Sequence, residues 1–72
     1  MTKPFRGCRY EVNLYTPNKG LWSRHSSIVS ARRSFREAVN NRRGDHSAGT
    51  LVELSDVDAS AISILGREVV RP

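Results

Sequence analysis

The chain has a single cysteine, Cys8, so no disulfide can close within it, and no structural zinc site can form without recruiting other residue types. It has no long apolar run: the most aliphatic stretch, Ala61 to Leu65, is interrupted by Ser63, and Thr2-Lys3-Pro4-Phe5-Arg6 after Met1 does not read as a signal peptide. These absences lead to the expectation of a non-secreted, non-membrane, cytoplasmic protein in reducing surroundings. Lysine is scarce too, with two lysines against ten arginines among 72 residues. Aromatic residues number only five, and they do not form the paired aromatic signatures of an RNA-recognition motif. Neither a zinc-finger Cys/His set nor a helix-turn-helix pair is present, so sequence-specific reading of nucleic acid has no visible basis. At this length one domain is expected, burying about 60% of the unfolded chain's surface around a small core. That leaves little room for an enclosed active site.

What the chain does have is positive charge, unevenly placed. Residues 1–44 hold ten of the twelve cations against Glu11 and Glu37, whereas residues 45–72 hold Arg67 and Arg71 against Asp45, Glu53, Asp56, Asp58 and Glu68. The formal net charge is +5. A planar guanidinium engages phosphate or carboxylate through paired donors in a way that ammonium cannot, so the surplus points to an acidic partner. Many arginine-rich small proteins nonetheless owe their composition to genome base content, and net charge alone speaks to association rather than to fold.

Residues 1–8 read as a basic leader and residues 9–72 as a single domain. Tyr10, Val12 and Leu14 alternate with Glu11, Asn13 and Tyr15, the period of a half-buried strand. Pro17-Asn18-Lys19-Gly20 supplies turn chemistry, and a second strand is predicted from Leu21 to about Val29. From Ala31 the period becomes helical: Ala31, Phe35, Ala38 and Val39 share one arc, Ser30 is the predicted N-cap with Ser34 as a competing start, and Gly44 ends the helix. Residues 45–49 read as a loop. Thr50 to Leu54 is a further strand, with Val52 and Leu54 on one face and Glu53 on the other. Residues 57–65 remain open between a short helix and a strand. The strand is preferred, with Gly66-Arg67 as a hairpin turn leading into a last strand at Glu68-Val69-Val70-Arg71. The expectation is an α+β fold, a small antiparallel sheet of four to five strands on one helix, in the order β-β-α-β-β(-β).

On that helix Arg32, Arg36 and Arg43 fall in one stripe with Arg33 alongside, and Arg42 falls inside the apolar arc, snorkelling outward if the helix extends so far. Arg24 and Lys19 enlarge the patch if they share its side of the sheet. Trp22 is either part of the core or an interface anchor. These seven residues, Arg32, Arg33, Arg36, Arg43, Arg24, Lys19 and Trp22, are the candidate partner-binding set. Catalysis has a weaker basis, since His25 lies in a serine-rich segment without a carboxylate at a spacing that implies a dyad, and His46 lies in the loop. Neither catalytic residues nor a metal site nor a cofactor is expected. Cys8 beside Arg6 and Arg9 reads as a small residue at a strand start, although neighbouring cations would favour its thiolate.

Where Ser30-Ala31-Arg32-Arg33 opens a basic helix and Gly49-Thr50-Leu51-Val52-Glu53 opens the next strand, the layout resembles that of certain small phage-encoded anti-CRISPR proteins. The resemblance covers residues 10–70 as an order of elements, with residue-level likeness at Arg32, Arg33 and Gly49-Thr50. It implies a non-enzymatic inhibitor that binds a CRISPR surveillance complex through basic residues on or near the helix, here Arg32, Arg33 and Arg36, and obstructs access to target DNA. The partner would then be the acidic groove of a nucleic-acid-handling complex. The alternative from the residues themselves is an accessory protein that binds DNA or RNA directly and with weak sequence specificity. Composition leaves protein and nucleic acid open as the direct ligand, and monomer and dimer open as the state.

Overall fold

Alternation in two inner strands sets the architecture. In the computed structural model, which describes residues 7–16, 18–44 and 49–71, the elements are β1 (Tyr10–Tyr15), β2 (Lys19–His25), α1 (Ile28–Gly44), β3 (Leu51–Asp56) and β4 (Ser63–Val69). The expectations for Pro17, for residues 1–6 of the leader and for Asp45 and His46 lie outside the described residues. All strand pairings are antiparallel, in the sheet order β2-β1-β3-β4. This is the expected α+β arrangement, with four strands.

β1 and β3 pair from Tyr10↔Asp56 to Tyr15↔Leu51, which sets Val12 opposite Leu54 and Leu14 opposite Val52. These four side chains are buried with Ala31, Ala38 and Val39 of α1 and with Val70, while Tyr10, Trp22, Ile28 and Phe35 pack around them. The side of α1 that meets the sheet is made largely of small residues, Ala31, Ser34 and Ala38, which lets the helix lie close. The Ser34 hydroxyl meets that of Ser23 on β2 in a short hydrogen bond. Its predicted alternative role as a helix cap does not arise.

The two hairpins are built alike. Each outer strand carries a bulge, opposite Val12/Asn13 in β2 and opposite Leu54/Ser55 in β4. A bulge twists an edge and spoils it as a template for further pairing, so both open edges are blunted.

Several boundaries differ from expectation: β2 begins at Lys19, before the expected Leu21, and β3 runs to Asp56, beyond the expected Leu54. The second strand ends at His25, because Ser26-Ser27 breaks it and Ser27 caps the helix: its Oγ accepts from Val29 N–H at 3.2 Å, and its carbonyl accepts from Ala31 N–H at 3.0 Å. Ile28 and Val29, predicted as strand, therefore form the first turn, and Ser30 sits inside the helix instead of capping it. The hairpin turn predicted at Gly66-Arg67 is absent; β4 runs straight through both residues, and the reversal lies between β3 and Ser63. Residues 57–62 are thus neither helix nor strand, and Ser63 to Leu65 belong to β4. Gly66 faces α1, where an added Cβ would make an ordinary van der Waals contact 3.6 Å from the Phe35 ring.

Among the described residues the bulkiest of the most deeply buried core side chains are Val12, Val52, Val70, Thr50 and Leu54, so the core is small. Caps accordingly carry a large share of stability. Ser27→Ala should lower the unfolding free energy by about 1 kcal/mol, and Ser30→Ala by clearly less, as read by urea denaturation followed by circular dichroism. An equal or larger effect at Ser30 would contradict the assignment of Ser27 as the cap.

Candidate functional site

The tertiary structure sorts the arginines into two populations. Arg9 grips Asp56 in a bidentate pair, its Nε 3.0 and 3.1 Å from the two carboxylate oxygens and its Nη2 2.9 Å from Oδ2. Arg67 donates to Glu53 Oε2 from Nε at 3.2 Å and from Nη2 at 2.8 Å. Arg24 Nε lies 3.6 Å from Glu11, and Arg43 pairs with Glu68 on β4. Arg42 lies with its guanidinium 5.6 Å from the centre of the Trp22 ring. The helix thus continues past Arg42, and cation–π contact accommodates its charge at the rim of the core.

The second population is Arg32, Arg33 and Arg36, exposed on the face of α1 turned away from the sheet. With Glu37 and Asn40 they line a shallow depression of about 380 Å³ between their own side chains. Among the described residues no ion pair engages these three arginines; Lys19 and Arg71 are likewise exposed and outside the ion pairs, but only on this helix face do three such cations cluster.

Of the seven candidate partner-binding residues, then, the fold brings three together. Arg43 is drawn to β4 by Glu68. Arg24 and Lys19 lie across from Glu11 and Tyr15 in the β1/β2 ladder, and therefore on the sheet face opposite α1. Trp22 is half-buried against the core beneath Arg42. The patch that a helical projection draws as one surface is divided by the sheet.

Sequence reading missed a polar layer on that opposite face. Glu11, Asn13, Glu53 and Ser55 are all buried although they lie on the sheet face away from α1. The Asn13 side-chain amide donates to Glu11 at 2.9 Å, and the Tyr15 hydroxyl donates to Glu53 at 3.4 Å. Together with Arg24 and Arg67 this satisfies two carboxylates that would otherwise be costly to bury. Glu11, Asn13 and Tyr15 are visible in sequence as one parity of β1. What places Glu53 opposite Asn13 is the long-range register of β1 on β3.

His25 is held by hydroxyls, with Nε2 2.8 Å from Ser23 Oγ and Nδ1 3.0 Å from Ser30 Oγ. These contacts tie the end of β2 to the first turn of α1. Cys8 is half-buried. Among the described residues, no group of three or more His, Cys, Asp and Glu side chains converges, and no helix is long and apolar enough to cross a membrane. Compared with family models, curated proteins and solved structures, the chain gives no match.

The Arg9–Asp56 pair closes the sheet at the β1 start and β3 end, and the Val57 N–H adds a bond of 2.9 Å to the Arg9 carbonyl. The Arg9 guanidinium holds the Asp56 carboxyl below its usual range, assisted by the Asp58 backbone N–H and opposed by partial burial. A carboxyl with a depressed folded-state pKa stabilises the fold fully above its unfolded pKa of about 3.9, and that contribution is lost as pH falls through the lower folded value. Thermal stability should therefore drop on acidification below about pH 4, and Asp56→Asn should flatten this part of the profile while lowering the melting temperature at neutral pH. An unchanged acid profile in the variant would show that the pair adds nothing.

Proposed function

We propose that this protein is a non-enzymatic binding protein that uses the outer face of α1 against an acidic groove of a nucleic-acid-processing complex, blocking it as the anti-CRISPR proteins it resembles in layout block theirs. The observation that carries this reading is the segregation of charge. Arg9, Arg24, Arg43 and Arg67 are matched by carboxylates within the chain, while Arg32, Arg33 and Arg36 stand unmatched on one rigid helix. Three guanidiniums within two helical turns make a surface suited to paired hydrogen bonds with carboxylates. Glu37 and Asn40, set among them, favour a protein groove that sets a cation or hydrogen-bond donor opposite Glu37 beside its own carboxylates, over a phosphate backbone, which is uniformly anionic and would be repelled at Glu37. In this reading the protein acts in the cytoplasm of the host cell.

The decisive experiment combines affinity capture and salt titration. Tagged protein should recover a stoichiometric, nuclease-resistant protein complex from host lysate. The Arg32→Ala/Arg33→Ala/Arg36→Ala variant should weaken that capture at least about tenfold while keeping the wild-type circular dichroism. If the chain instead bound random duplex DNA directly, log affinity would fall against log salt with a slope of roughly −0.9 per phosphate neutralised. Glu37→Gln separates the two: it should weaken or leave unchanged the protein complex, whereas it would strengthen phosphate binding. Full function in the triple variant would overturn the helix-face reading altogether.

A further inference from the structure

The sheet face opposite α1 differs from the helix face in carrying exposed apolar residues and arginines that are paired with carboxylates. By register it carries Leu21 of β2 opposite Asn13, Ile64 of β4 opposite Ser55, and Val69 of β4 opposite Leu51. These three apolar residues are 48%, 45% and 49% exposed. They surround a centre where Arg24 is matched by Glu11 and Arg67 by Glu53. The two carboxylates are buried and the Arg24 and Arg67 side chains, 42% and 59% exposed, are paired with them, so the centre carries no net charge; the exposed Lys19 lies at one corner of the face, opposite Tyr15. We infer that this face is the contact surface of a symmetric homodimer, two sheets packing face to face with their helices outward.

Several observations favour a second copy of this chain as the occupant. An isologous contact requires a patch that tolerates itself, and a neutral centre with apolar residues on both flanks meets that requirement. The basic helix face does not, since two copies of it would repel one another. Edge-to-edge growth of the sheet is disfavoured by the bulges in β2 and β4. Among the described residues the buried core consists of valines and alanines with two leucines, Leu14 and Leu54, and association is a common way for small domains to supplement such a core. Four strands spaced about 4.8 Å apart, each about six residues long at roughly 3.3 Å per residue, present a footprint on the order of 20 by 20 Å. Two such faces cover roughly 800 Å² together, below the usual size of stable specific interfaces and in the range of weak, transient ones. The dimer is therefore weak and concentration-dependent. It would present the two α1 faces on opposite outer sides, whatever those faces bind, and the inference does not rest on the proposed function.

Sedimentation velocity in reducing buffer, which removes any cross-link through Cys8, reads the dimer directly from about 1 μM to about 1 mM. The mass should rise from the 8.1 kDa monomer toward twice that value. Ile64→Glu with Val69→Lys on one hairpin, and Leu21→Lys alone on the other, should each raise the dissociation constant at least about tenfold with unchanged circular dichroism. The Arg32→Ala/Arg33→Ala/Arg36→Ala variant should dimerise as the wild type does. If the Ile64/Val69 variant fails to fold, Leu21→Lys alone decides the matter. A monomer throughout the range, a dimer indifferent to the sheet-face substitutions, or one altered by the helix-face variant would each overturn the inference.

Discussion

The pairing of β1 with β3 is the constraint on which the rest depends. These strands are separated in sequence by all of β2 and α1, yet they lie in continuous register from Tyr10↔Asp56 to Tyr15↔Leu51. One parity of that ladder assembles Val12, Leu14, Val52 and Leu54 into the floor of the core. The other assembles Glu11, Asn13, Glu53 and Ser55 into the polar layer. Because side chains alternate with a period of two, a slip of one residue would exchange the layers, leaving carboxylates facing α1 and aliphatic residues facing outward. Burial on one face and ion pairing on the other thus enforce the same register.

The same ladder determines how the arginine surplus is distributed. Bringing Asp56 beside the residues that precede β1 gives Arg9 its bidentate partner, and bringing β4 alongside β3 gives Arg67 to Glu53. Once α1 lies across the sheet, Glu68 on β4 takes Arg43. The sheet thus neutralises cations within reach of its carboxylates. Those on the far side of α1 have no such neighbours, and a formal charge of +5 becomes a directional property of the molecule.

Much of this was open to reading along the chain. The alternation of β1, the turn after Tyr15, the helical period from Ala31 to Val39 and the β3 run at Thr50 are local patterns, and the folded chain keeps them. The errors arose where two local signals competed. Ile28 and Val29 favour strands by propensity, but Ser27 capped a helix before them. Gly66-Arg67 has hairpin-turn chemistry, yet Gly66 sits within β4 under the Phe35 ring. A helical projection likewise grouped Arg43 with Arg32 and Arg36, because it contains no neighbouring strand.

By itself, then, the sequence determined the types of β1, β2, α1 and β3, the apolar parity of each inner strand, the apolar arc of the helix and the presence of an arginine surplus. All of these follow from periodicity and composition within short windows. Only the tertiary structure decided which arginines remain uncompensated, that Lys19 and Arg24 lie on the opposite face from Arg32, Arg33 and Arg36, and that Glu11 and Glu53 are buried side-chain acceptors and not solvated charges. The reason is physical: ion pairing and burial depend on which residues distant in the chain come within a few ångströms, and that is set by strand register and helix docking, which no local pattern encodes.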